Sequence, residues 1–275
     1  MAKPRSSTTP AEILDYNADY KNRVIYFGEV SADANECTEI NNKSIQSVIL
    51  AIHIMAQQAP KTPISLYMNS DGGSLSAAWA LIDTMLSCTC QIKFFGYGEI
   101  QSSAVMIMAA ADERYLMTHT DVMLHDISWN SPSSQSGSHH SSDAESYKKA
   151  LKCKVKFLAD NSNMSKEFYE LIFNSGKDLL ISAQEAVDIG LADEIIPYTK
   201  RGNLRKKRNA KKKPSSRRLT RSCNTLLERI QLPVNIEKVL IHTPAQDEVD
   251  PNITIVELED VELIESNGVK DEHGT

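Results

Sequence analysis

Alternating strand-like and helix-like apolar patterns predict an α/β protein, a parallel sheet wound with helices and followed by a C-terminal extension of different character. Three observations carry this reading. Short apolar runs of strand type recur at 23–28, 63–68, 91–97, 114–117 and 121–125. Apolar residues at helical spacing fill the intervals 40–55, 74–87 and 102–111. Beyond residue 199 the alternation gives way to a stretch, 200–221, with twelve Lys and Arg and no acid, and then to carboxylates clustered between 248 and 265.

Composition sets the outer bounds. The 275 residues suit one good-sized domain with additions, and 41% apolar with 24% charged residues suits a globular core. Apolar runs all fall short of the roughly 18 residues of a membrane span, and residues 1–10 are polar, so neither an anchor nor a secretory leader is expected. The five cysteines, Cys37, Cys88, Cys90, Cys153 and Cys223, form an odd, unpatterned set, with Cys88-Thr89-Cys90 too tight for the usual zinc spacings. A reducing cytoplasm is the expected location.

The elements follow in order. Residues 1–20 are polar and read as a loosely held segment. Arg23-Val24-Ile25-Tyr26-Phe27 is a strand closed by Gly28. Ile45, Val48, Ile49, Ile52 and Met55 form a helical stripe, and Pro63 to Met68 is the next strand. Leu75, Ala78, Trp79, Ile82, Met85 and Leu86 mark a helix capped by Ser74. A strand at 91–97 leads to a buried helix at 102–111, then to short strands at 114–117 and 121–125. The serine-rich run 128–142, with Pro132, Gly137 and His139-His140, reads as an exposed loop, its histidines solvated rather than metal-bound. A long amphipathic helix spans 143–160, with Tyr147, Leu151, Val155 and Leu158 on one face. Ser165 caps the next helix, and Ser182 with Glu185 makes a capping box for a helix ended by Gly190. A last strand covers 192–197. The globular region is thus 21–199, a basic linker or arm covers 200–221, and an acidic extension covers 222–275.

Ser102 and His125 stand out by their setting. Ser102 follows Gly98-Glu99-Ile100-Gln101 and opens an apolar run, while His125 closes Asp121-Val122-Met123-Leu124. Upstream, Tyr67-Met68-Asn69-Ser70-Asp71-Gly72-Gly73-Ser74 runs from a strand end through a glycine turn into a helix start. A hydroxyl at a helix mouth lies beside backbone N–H groups that favour an oxyanion, and a Gly-Gly turn exposes more of them. These are the parts of a serine hydrolase. As a bare pair the two residues would say little, because most buried serines and histidines only satisfy local bonds.

The order of these motifs resembles the family of Clp protease proteolytic subunits, ClpP, over about 23–197. The resemblance rests on Arg23 to Gly28, Leu66 to Gly73, Gly98 to Ser102, Val122 to His125, Ser182-Ala183-Gln184-Glu185-Ala186 and Gly190-Leu191-Ala192-Asp193. It implies a ClpP/crotonase-like β/α superhelix whose protruding handle helix is 143–160. It also implies a serine endopeptidase with Ser102 as nucleophile, His125 as general base and Asp178, four residues before Ser182, orienting the histidine. The oxyanion donors would be the amides of Gly73 and Ser103. Ser103 is the rival nucleophile, one residue along, and Asn174 is the alternative third member. Such a site needs only water, with no metal or cofactor. The implied partners are polypeptide substrates, a homo-oligomeric ring (a heptamer or double heptamer) and an AAA+ unfoldase.

Three departures separate this chain from the family. Asp71 replaces the proline of the Ser-Pro-Gly-Gly turn. Asp126-Ile127-Ser128-Trp129-Asn130 stands where relatives carry the glycine-rich segment that pairs with substrate. The N-terminal region also lacks the usual axial Gly-Glu-Arg segment. Other readings stay open: a noncatalytic ring subunit with an assembly role, or a phage-type maturation peptidase acting on scaffold. Crotonase-type acyl-CoA chemistry shares the fold but not the serine–histidine context. The basic arm could bind nucleic acid by counterion release, but no aromatic residue between 200 and 221 offers a stacking platform.

Overall fold

Arg23 shows how the chain enters its sheet. In the computed structural model it has φ 58° and is nearly buried, which directs its guanidinium at three carbonyls: Met55 (2.7 Å), Thr62 (2.8 Å) and Pro63 (3.2 Å). Met55 O lies in the last turn of helix α1 (Asn42–Gln58) and also accepts from the Ala59 amide (3.1 Å), so Arg23 adds a second donor to that helix end. The turn before it folds β1 (Ala18–Asp19) antiparallel onto β2 (Val24–Phe27). Ala18 and Asp19, read as loose from sequence, therefore belong to the sheet, and Ala18 is fully buried. The structure describes residues 13, 17–28, 39–128, 137–197 and 216–230, without the side chains of 137–143, 216–218, 220 and 221. The rest of the expected N-terminal segment, most of the basic arm and the acidic tail from 231 lie outside the described residues.

The strands then add in parallel. β2 pairs with β4 (Ile64–Ser70), β4 with β6 (Ile92–Gln101), β6 with β7 (Glu113–Met117), and β7 with β10 (Glu194–Ile196). The far end of β6 also pairs in parallel with β8 (Asp121–Leu124), which carries β9 (Leu179–Ser182) antiparallel on its other side. A second small sheet joins β3 (Glu39–Ile40) to β5 (Gly72–Gly73). Strict alternation on β4 buries Ile64, Leu66 and Met68, in register with Ile92 and Phe94 of β6. The opposite face carries a ladder of stacked rings across four strands: Tyr26–Tyr67 at 5.6 Å, Tyr67–Phe95 at 4.6 Å and Phe95–Tyr115 at 5.1 Å.

Helices α1, α2 (Leu75–Ser87) and α3 (Ser103–Ala109) complete one apolar core with the strands. Side chains cap the starts of α1 and α2, and for α2 the cap is the serine read from sequence. Asn41 accepts from the amides of Lys43 and Ser44, and Ser74 accepts from Ala77. The long helix α4 runs Gly137–Asp160, so the serine-rich run expected as a loop is helical from Gly137 onward. Once the packed turns around Val155 and Leu158 are ordered, extension adds one hydrogen bond per residue, and no proline follows Pro132 to stop it. His139 and His140 lie among the side chains outside the description. Helix α5 (Lys166–Asn174) starts at Ser165, and α6 (Ala183–Asp188) at the Ser182–Glu185 capping box, both as read from sequence.

Helix α7 (Ser216–Arg229) straddles the boundary drawn between arm and extension. Its Leu219, Cys223, Leu226 and Leu227, with Ile230 just beyond, are buried against α6 and β9. The helix is pinned at several points. Arg229 pairs with Glu185, the Lys177 ammonium donates to Ile230 O (2.9 Å), and Cys223 meets Met164. Among the described residues no helix is long and apolar enough to cross a membrane.

Candidate active site

One residue separates β6 from α3, and it is Ser102. Its backbone sits at φ 54°, ψ −120°, and its amide donates to Met123 O of β8 (2.9 Å). Positive φ is rare for a residue with a Cβ, and it turns strand into helix within one step. The serine makes no side-chain capping bond, so its hydroxyl points away from α3. It meets His125, which directly follows β8. The distance from Ser102 Oγ to His125 Nε2 is 2.6 Å.

The Gly-Gly turn is dictated by crowding against this elbow. A Cβ on Gly72 (φ 99°) would lie 2.6 Å from Ser102 Cβ and 2.8 Å from Gln101 O. A Cβ on Gly73 (φ 138°) would lie 2.4 Å from Ile40 O of β3. Ser103 is buried, and its hydroxyl donates to Gly73 O at 3.2 Å. That bond occupies the rival serine and fixes the peptide that follows Gly73.

Half-buried His125 is surrounded by charge. Burial and then the Lys154 ammonium push it below the ordinary histidine value, while Asp178 and Asp126 pull the other way without offsetting them. Neutral imidazole is therefore the resting form. Asp178 is exposed, within electrostatic reach of the ring; among the described residues no hydrogen bond joins the two. Asn174 closes α5 at the surface.

Sequence reasoning missed the polar cluster behind the histidine. Lys154 on α4 donates to His125 O (2.8 Å), and the Tyr147 hydroxyl of the same helix donates to Asp126. Asp126 also accepts from the Ile127 amide. The signal was present: Lys154 is in phase with Tyr147, Leu151 and Leu158, a cation within the apolar stripe.

A hydroxyl held against a neutral imidazole at a sharp strand-to-helix turn is the arrangement of a nucleophile beside its base. The family described as Clp protease matches residues 27–199, and the chain belongs to that family, with its ClpP/crotonase-like fold. "ATP-dependent Clp protease proteolytic subunit 2" of Rhodococcus jostii is 26% identical over 198 residues, 70% of this chain and 93% of the relative. The protein of the same name from Mycolicibacterium paratuberculosis is 28% identical over 200 residues, 71% of this chain and 94% of the relative. "ATP-dependent Clp protease proteolytic subunit 1" of Shouchella clausii is 28% identical over 188 residues, 66% and 89%.

Proposed function

We propose that this chain is a serine endopeptidase acting on polypeptides inside a ring of its own copies. The observation that carries the reading is the 2.6 Å contact between Ser102 Oγ and His125 Nε2 at the β6–α3 elbow. Ser102 Oγ attacks the scissile carbonyl carbon as its proton passes to His125 Nε2. The amides of Gly73 and Ser103 donate to the oxyanion. The C–N bond then breaks, His125 gives its proton to the leaving amine, and water, deprotonated by His125, hydrolyses the acyl-enzyme. Asp178 steadies the imidazolium; its hydrogen bond to the ring forms when substrate closes the site, since catalytic bonds are often long before binding. The names of the relatives support an ATPase partner of the AAA+ unfoldase class, and the family supports a heptameric or double heptameric ring.

A fluorophosphonate probe, which phosphonylates an activated serine, tests the reading. Ser102 is expected to label, and Ser102→Ala and His125→Ala each to abolish the label. An assembled ring that takes no label on Ser102 leaves the second reading, an assembly subunit without turnover. The observation favouring that reading is the missing Asp178–His125 hydrogen bond.

A further inference from the structure

Lys154 occupies a place where an ammonium is costly. It is 3% exposed on the inner side of α4, with its ammonium 4.4 Å over the Phe173 ring of α5. Lysine is almost never buried this fully without a partner. Among the described residues no carboxylate lies within ion-pair distance of it. Instead the ammonium donates to the main-chain oxygen of His125 (2.8 Å), with Asp126 near enough to favour its charged form. Asp126 is in turn held by Tyr147 and by the Ile127 amide. In phase with Leu151 and Leu158, the position would take a leucine or methionine for packing alone.

We propose that Lys154 is a positioning residue for the Ser102–His125 pair: its ammonium ties α4 to the backbone of His125 and stands as a fixed positive charge beside the imidazole. This rests on reading His125 as the general base. The hydrogen bond holds the chain just past the end of β8, the point from which the ring swings. The charge disfavours the imidazolium, so the base stays unprotonated to lower pH. It also opposes the imidazolium formed during attack, which makes Asp178 the counterweight. The groups facing the ring are the Ser102 hydroxyl from the elbow, Asp178 from the segment before β9, Asp126 from the next residue and Lys154 from α4. From α5 the neighbour of Lys154 is the uncharged Phe173.

The test is an NMR titration of the His125 ring, identified by the signal lost in His125→Asn, in the full-length wild type, Lys154→Met and Lys154→Arg. Removing the charge should raise the His125 midpoint by roughly half to one pH unit, the scale of one nearby charge inside a protein. Arginine, which keeps the charge, should hold it near the wild-type value. The wild type supplies a measurement that needs no variant. Burial pulls Lys154 down to about 8, so the His125 signal should show a second, smaller inflection near pH 8. A Lys154→Met midpoint equal to that of the wild type, or a Lys154→Arg midpoint raised as far as that of Lys154→Met, overturns the proposal. Fluorophosphonate labelling against pH keeps the two readings apart. Labelling whose acid limb moves up with Lys154→Met supports both. Titration effects without any labelling would remove the peptidase and leave the hold of Lys154 on His125 standing.

Discussion

Ser102 holds a conformation that costs a residue with a side chain about 1–3 kcal/mol, and such strain persists only where the surroundings over-determine it. Here the amide is fixed by Met123 O, the chain is committed to β6 before it and α3 after it, and Gly72 leaves room for its Cβ alone. Gly72→Ala is therefore the sharpest residue-scale probe. The new methyl meets both Ser102 Cβ and the Gln101 carbonyl, so the hydroxyl must move. Labelling of Ser102 should fall roughly a hundredfold, the cost of an ångström-scale misplacement, while circular dichroism stays that of a folded chain. A labelling rate within twofold of wild type would show that the elbow tolerates a side chain there. The pH sign at this scale follows from His125. Its proton affinity is depressed in the folded protein, so the base form persists as pH falls below the ordinary histidine range, and any stability linked to it is lost on further acidification.

At the scale of elements, the caps and stripes were legible because their causes are local. Ser74, Ser165 and Ser182 bond within three residues of themselves, and the β4 alternation is set by the period of the strand alone. What escaped depends on partners far along the chain. The acceptors of Arg23 lie 32 to 40 residues away, and Lys154 is explained only by His125 and Phe173. The serine and histidine were legible as a pair only through motif order, since nothing within 23 residues of sequence dictates a 2.6 Å contact. Helix α7 belongs to the same group: its basic start resembled a solvated arm, and its apolar face became meaningful only against α6 and β9. Leu226 is fully buried there, and Leu226→Ala should cost about 2–5 kcal/mol of the stability of that docking. Cys223 gives the readout. Burial pushes its thiol up to about 11, so alkylation in the wild type should be slow, and it should rise at least tenfold, about 1.4 kcal/mol, in Leu226→Ala. Equal rates would mean that α7 is not held by this face.

At the scale of the whole molecule, the two ends of the sheet are tied to the site by different means. Arg114 of β7 binds Asp193 through its backbone amide and guanidinium and also donates to Asn161 O, just beyond α4, closing the sheet edge where β10 joins. The other branch, β8 and β9, carries His125 and leads directly from Asp178. Helix α4 therefore has its C-terminal end packed near the sheet edge and, six residues before that end, Lys154 on the histidine. An assembly that engages α4 would act on both at once. Native mass spectrometry or sedimentation should find the chain in multiples of seven, as the proposed ring requires; a monomer at micromolar concentration would rule out an enclosed peptidase.

Trp79 of α2 packs edge-on against Phe157 of α4, with ring centroids 5.1 Å apart. This contact sits one turn along from Lys154, on the same helix. The chain has two tryptophans, Trp79 and Trp129, so in a Trp129→Phe background its emission comes from one indole resting on the helix that steadies the base. The protein thus carries its own optical gauge of that docking: a spectrum that shifts red or a quenching constant that climbs would report α4 lifting away, in real time and without any added dye.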